Sequence, residues 1–260
     1  MSPAAGALAN RLDRGFASGG PGLICYLPLG DPLAVGDLAE RYIEAGVDVL
    51  EIGVPAANPY LDGALVRASM ARALAAGMTL ERIAEQTAEL RRRHPEQAMI
   101  WMGYGAWTAE DDVVALAAAT GVDGVLFPEP ARWFTRMQER LAAVDVHLLQ
   151  FLLRDASPLD VLHARTAGGY LMLQAVAGAT GTGTPDGELP DSSGLIQRIR
   201  EAGVRAPIAL GVGISSPEQV RSAIAMGADA AIVGSTVLRA ALDGAGALGE
   251  TLRALRRAVR

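Results

Sequence analysis

Residues 45–55 read AGVDVLEIGVP, and their reading decides the fold. Gly46 suits the left-handed position just past a helix end, where other side chains are strained. Val47, Val49, Leu50, Ile52 and Val54 then form a nearly continuous apolar run. A strand with one wet face alternates; a run like this belongs to a parallel strand covered on both faces. The same joint returns as TGVD at 120–123 and MGAD at 226–229. The chain therefore repeats one phrase, in which a helix stops at glycine and a buried strand follows.

Outward from that stretch, apolar runs at 22–29, 47–54, 98–104, 123–127, 146–153, 169–175, 206–212 and 229–233 read as strands. Helical spacing fills the intervals: a leading helix over 5–18, with Leu8, Leu12 and Phe16 on one side, then helices ending near 45, 93, 120, 144, 167, 202, 226 and 259. Gly30-Asp31-Pro32 reads as a turn into the second of these, and 65–93 as one long helical pattern. Eight strands alternating with helices in 260 residues predict a single α/β domain over 1–260, a (β/α)8 TIM barrel with an extra N-terminal helix. A doubly wound open sheet is the second architecture that fits.

Composition narrows the function. Half of the residues are hydrophobic, enough for one large core, and the formal net charge is −6 with no basic patch, which argues against nucleic acid as a partner. All 23 basic residues are arginine, so Schiff-base chemistry, which needs a lysine amine, is excluded. The single cysteine, Cys25, lies in the apolar run LICYLPL and reads as a core residue; one cysteine fits a reducing cytoplasm. The N-terminal residues lack a signal-peptide pattern, and no apolar run reaches the roughly 18 to 20 residues that span a bilayer. His94, His147 and His163 have no metal-ligand spacing, and no dinucleotide fingerprint follows the first strand.

In such a barrel the chemistry collects at the C-terminal strand ends. The first offers Asp31, the second Glu51 and then Asp62 beside Gly63, and the fourth Glu129. After the sixth comes a loop rich in Gly and Thr at 176–191, placed to act as a lid. After the seventh and eighth come GVGISSPEQV (211–220) and VGSTVLRAAL (233–242). Glycine allows close backbone approach, and helix N-termini present free N–H groups to an anion. These two turns, with Gly181 after the sixth strand, predict a phosphate site held by backbone N–H groups. Ser215 or Ser216 also reads as a helix N-cap. Glu51, nearer the apolar interior, is expected to have a raised pKa and to shuttle protons, while Asp62, in a loop, is expected to stay ionised.

These motifs together resemble a known family. LEIGVP (50–55) followed by NPYLDG (58–63) is similar to the LE-G-VP-F-S-DP-x-ADG signature of tryptophan synthase alpha subunits. The Gly30-Asp31-Pro32 turn, Ala179-Thr180-Gly181, GVGISSPEQV and Gly234-Ser235 match in the same order, so the resemblance covers nearly the whole chain. It implies a (β/α)8 barrel that cleaves indole-3-glycerol phosphate by a retro-aldol step without metal or cofactor, alongside a beta subunit. It assigns Glu51 as proton shuttle and Asp62 as the group that stabilises charge through the indole N–H. It assigns Gly181, Gly213, Gly234 and Ser235 to the phosphate. The chain departs from the family at Asn58, which replaces the usual acid before the loop proline, and at Met172, aligned with a tyrosine. It departs again at Val176, aligned with the lid arginine, and in the lid sequence TGTPDGELPD. The Asn58 loop and the lid are where the family closes its site and signals to the beta subunit. A stand-alone indole-producing homologue, a paralogue acting on another aryl or sugar phosphate, and a non-catalytic barrel partner protein stay open.

Overall fold

The computed structural model describes residues 10–17, 19–104, 110–129, 134–181 and 187–260. Its strands are β1 (Gly22–Leu27), β2 (Val49–Gly53), β3 (Ala98–Met102), β4 (Gly124–Leu126), β5 (His147–Leu152), β6 (Leu171–Gln174), β7 (Ile208–Gly211) and β8 (Ala230–Val233). All pair in parallel, each with its sequence neighbours, and β8 returns to β1 to close an eight-stranded barrel. The described helices are α1 (Arg11–Ala17), α2 (Leu38–Glu44), α3 (Ala64–Ala75), α4 (Leu80–Arg93), α5 (Glu110–Thr120), α6 (Thr135–Ala142), α7 (Pro158–His163), α8 (Ser193–Glu201), α9 (Pro217–Ala225), α10 (Ser235–Asp243) and α11 (Ala245–Val259). The open-sheet alternative is thereby excluded.

Strand alternation sorts the core into two shells. Leu23, Cys25, Leu27, Leu50, Ile52, Met99, Trp101 and Val125 face outward against the helices. Cys25 is thus a packed core side chain, and burial pushes its thiol pKa well up. Ile24, Val49, Ile100, Leu126, Leu149, Met172 and Ile232 fill the interior, joined at one end by Leu12 of α1. That end is the N-terminal one, because Asn10 Nδ2 donates to the carbonyls of Asp123 and Asp145, which precede β4 and β5. The leading helix therefore closes the bottom of the barrel. Of the span predicted for it, 5–9 and 18 lie outside the described residues.

The recurring glycine-to-aspartate joint has a common structure. Gly46, Gly121 and Gly227 all adopt positive φ (81°, 67° and 96°). The aspartate that follows then grips the previous strand twice. Asp48 donates its N–H to the Leu23 carbonyl and accepts the Leu23 N–H on its carboxylate, at 2.9 and 2.7 Å. Asp123 does the same with Met99 at 2.8 and 2.8 Å, and Asp229 with Ile208 at 2.8 and 2.7 Å. Each carboxylate also meets an arginine: Arg256, Arg91 (with Arg11) and Arg200 respectively.

Three expectations need correction. Gly30-Asp31-Pro32 does not lead directly into a helix; α2 begins only at Leu38, after Asp37 in the left-handed region. Residues 65–93 are two helices, because left-handed Gly77 ends α3 and Thr79 caps α4 by accepting the Arg82 N–H. A further helix, α10, separates β8 from the last helix, the result of the glycine at 244 with φ 116°. Among the described residues no helix is long and apolar enough to cross a membrane.

Candidate active site

A cavity opens at the C-terminal ends of the strands. Glu51, Asp62, Gly181, Gly213, Gly234 and Ser235 all line it, with an apolar wall that includes Leu126, Phe151, Met172, Ile214 and Ile232. Asp31 is engaged elsewhere. Its carboxylate accepts from Ser69 (2.6 Å) and from two nitrogens of Arg72 (2.9 and 2.6 Å), tying the turn after β1 to α3. Burial alone would raise its pKa; these donors more than offset that and hold it below the usual carboxylate value. Glu129 is likewise occupied, hydrogen-bonded to the phenol of Tyr60.

Glu51 sits on the inner face of β2 with only 4% of its surface exposed. Burial pushes its pKa up to about 7, a hydrogen bond from the Tyr170 hydroxyl at 3.3 Å pulls the other way, and the charge of Asp62 adds to the rise. Glu51 is therefore a carboxyl that exchanges its proton near neutrality, as the buried strand position led one to expect.

Asp62 differs from expectation. It lies in the loop after β2, yet it is as buried as Glu51, and burial raises its pKa. Two hydroxyls oppose that rise: Tyr104 donates to Oδ2 at 2.6 Å and Thr180 donates to Oδ1 at 2.9 Å. Burial outweighs the two donors, and the net shift is upward. Thr180 serves the loop as well. It accepts the Gly63 N–H on its hydroxyl (2.9 Å), and its own N–H donates to the Leu61 carbonyl (3.0 Å). Gly63 is required here, since a Cβ would stand 2.0 Å from the Thr180 carbonyl oxygen.

The glycine turns converge opposite the acids. Gly181 (φ 75°) approaches Ser235, whose Cβ and Oγ lie 3.5 Å from where a Cβ on Gly181 would be. Gly213 (φ 94°) follows Val212, itself left-handed at φ 62°, a strained choice for a β-branched residue. A Cβ at Gly213 would meet the Val176 side chain at 2.7 Å. Ser235 opens α10, whose first N–H groups have no partner within the helix. Ser216 is the N-cap of α9 and accepts the Gln219 N–H at 3.3 Å, so its hydroxyl has a structural task. Arg154 clamps both ends of the loop after β6, donating to the carbonyls of Ala175 and Asp191 and to the Ser192 hydroxyl. Residues 182–186 of that expected lid lie outside the described residues. Asn58 is on the surface.

Reading the sequence by strand ends missed Tyr104, Tyr170 and Tyr26. Tyr170 precedes β6, at the opposite end from the mouth, and only the length of its side chain brings its hydroxyl to Glu51. Tyr104 and Tyr26 look like ordinary aromatics in apolar strands. Thr180 was visible in the Ala179-Thr180-Gly181 match, but its bond to Asp62 was not.

The comparisons with known proteins agree with each other. The model of the tryptophan synthase alpha chain family matches residues 14–256. The tryptophan synthase alpha chain of Burkholderia lata is 34% identical over 273 residues, covering 91% of this chain and 98% of that one. The corresponding chain of Novosphingobium aromaticivorans is 31% identical over 261 residues, covering 96% of each. A solved tryptophan synthase of Mycobacterium tuberculosis superposes with a TM-score of 0.84 at 22% identity, over 97% of this chain and 99% of that one, a likeness of fold.

Proposed function

The chain belongs to the tryptophan synthase alpha chain family, and on that premise we propose that it is a lyase cleaving indole-3-glycerol phosphate to indole and glyceraldehyde 3-phosphate. One observation carries the reading. A proton-exchanging carboxyl, a second buried carboxyl and a ring of glycine turns line one largely apolar cavity. The apolar wall suits an aromatic ring, and the N–H groups around Gly181, Gly213, Gly234 and Ser235 suit a phosphate.

The chemistry follows from the proton positions. Glu51, in its acid form, protonates the ring carbon that bears the glycerol chain. The ring nitrogen takes up positive character, and Asp62 accepts its N–H and stabilises that charge. Glu51, now a carboxylate, removes the proton from the adjacent glycerol hydroxyl. The carbon–carbon bond breaks, its electron pair returns to the ring, and the oxygen becomes the aldehyde. Glu51 ends as it began, protonated. The Tyr170 bond holds its carboxyl in place, and the Tyr104 and Thr180 bonds hold that of Asp62.

A tryptophan synthase beta subunit is the proposed partner, as the alpha-chain names of the relatives suggest. It would dock over the cavity mouth, where Tyr60 and Leu153 are exposed beside Gln174 and Gly178. The cytoplasm is the compartment the reading calls for, where the lone Cys25 stays reduced. The test is an indole assay on the purified chain with indole-3-glycerol phosphate, alone and with a beta subunit. Indole is expected in both, with more when the beta subunit is present. No indole under either condition rules the reading out, and equal rates rule out the partnership.

A further inference from the structure

Three phenols border the cavity region, and two have clear tasks: Tyr104 donates to Asp62 and Tyr170 to Glu51. The third, Tyr26, lines the cavity at 6% exposure, and its hydroxyl has no hydrogen-bond partner among the described residues. That hydroxyl is not sealed from the cavity, so it is open to a molecule bound there.

That position is firmly held. Tyr26 pairs with Glu51 in the β1–β2 ladder. The buried Tyr42 hydroxyl donates to the Tyr26 carbonyl at 2.9 Å. Its ring packs with Val66, Met70, Tyr104 and Leu238. Its hydroxyl then lies over Gly53, where a Cβ would stand 2.3 Å from the phenol oxygen. Gly53 follows Glu51 by two residues on β2, so both point inward and Gly53 is one step nearer the mouth. The hydroxyl thus sits on the mouth side of Glu51, over the next inward-facing residue of β2. At the root of the side chain, the Tyr26 Cβ is 3.8 Å from where a Cβ on Gly234 would be, so the residue springs from beside the proposed phosphate turn. Burial, with the charges of Asp62, Glu51 and Asp31, holds the phenol protonated. It is a donor placed between an anion-binding turn and a pair of acids.

We propose that Tyr26 is a substrate-binding residue, its hydroxyl donating a hydrogen bond to an oxygen of the hydroxylated three-carbon chain that joins the phosphate to the ring. This rests on the indole-3-glycerol phosphate reading and adds a contact to it. The bond fixes the rotation of that chain, so that the hydroxyl beside the ring faces Glu51. A substrate bearing a plain propyl chain gains nothing from it.

The experiment compares the wild-type chain with Tyr26→Phe on two compounds: indole-3-glycerol phosphate and the analogue with an unsubstituted propyl chain. For the natural chain, kcat/KM is expected to fall about 3- to 10-fold, the effect of one neutral hydrogen bond. For the propyl analogue, the calorimetric Kd is expected to agree between the two proteins within about twofold, on the same argument. Equal weakening of both compounds overturns the inference, because the oxygen would then act through packing. An unchanged kcat/KM overturns it as well. So does a Tyr26→Phe chain that fails to fold, since the oxygen would then have a structural task. If the wild-type chain releases no indole, the substrate reading itself has failed; if it does and Tyr26→Phe is indifferent, only this inference has.

Discussion

Glu51 occupies a buried position on an inward strand face, with one phenol, Tyr170, donating to it, and that placement sets both its chemistry and its cost. A buried carboxyl with a pKa near 7 binds a proton in the fold that it would release in the unfolded chain above about pH 4.5. The sign follows from linkage: the contribution is fully present below the unfolded value and is lost as pH rises through about 7. Glu51→Gln removes that dependence. Its melting temperature is expected to exceed that of the wild type by several degrees at pH 8, for a difference on the order of 3 kcal/mol. At pH 5 the gap should shrink. The same substitution should lower kcat by about 10³ while leaving substrate Kd within a few-fold, since it removes proton transfer and keeps the shape. Wild-type kcat/KM should fall as pH rises through about 7, because the acid form starts the reaction. A Gln variant that keeps its activity, or melts alike at both pH values, contradicts the assignment. Glu51 was legible in the sequence because a carboxylate breaking an apolar strand is conspicuous. Its phenolic partner was not, since Tyr170 reaches it from the far end of another strand.

The site is assembled from loops that hold each other, and here the sequence was only partly readable. Glycine-rich turns after β6, β7 and β8 announce themselves by composition, and the structure brings them to one cavity. The contact that joins the β2 loop to the β6 loop does not, since it is made by backbone atoms far apart in sequence. Gly63 and Thr180 are its core. Three bonds run through Thr180, to Leu61, Gly63 and Asp62, and the first two involve main-chain partners that any residue would supply. Only the space at Gly63 carries a sequence signal, and in the sequence it reads as a turn glycine. Gly63→Ala places a methyl 2.0 Å from the Thr180 carbonyl, and backbone cannot yield as a flexible side chain does. The two loops must separate, and Asp62 loses the Thr180 hydroxyl. We expect kcat/KM to drop at least about tenfold, the loss of roughly 1.4 kcal/mol or more. The melting temperature should change by only a few degrees, because Gly63 is at the barrel mouth and outside its packed core. A Gly63→Ala chain with wild-type kcat/KM shows that the loops do not need this contact.

The carboxyls of the cavity and those at the bottom of the barrel are held in different ways. At the mouth, carboxyls are set beside hydroxyls and apolar walls, without an arginine partner in the described cavity lining. At the bottom, the repeated aspartates meet arginines and strand N–H groups. Asp123 is the most enclosed of these: its carboxylate accepts the Met99 N–H at 2.8 Å, Arg91 at 2.7 Å and Arg11 at 3.0 Å, with the side chain 1% exposed. The glycine-to-aspartate phrase that first disclosed the fold is therefore a stitch between successive strands, a role that spacing alone does not reveal. Arg11 also brings α1 into the stitch, so the bottom of the barrel and its closing helix depend on one carboxylate. Asp123→Ala takes one acceptor from a strand N–H and from two guanidinium groups, which then keep main-chain carbonyls but no counter-charge at this site. Breaking such a pair costs about 3 kcal/mol or more when the partner stays buried, and Arg91 is only 12% exposed. Denaturant unfolding should show that loss as a lower midpoint with an unchanged slope. KM and kcat for any substrate bound at the mouth should stay within about twofold at temperatures where the variant remains folded, because distant sites without shared partners act additively. If Asp123→Ala instead changes kcat while the midpoint stays put, the bottom of this barrel is wired to its mouth, and the two ways of holding carboxyls are not a division of labour.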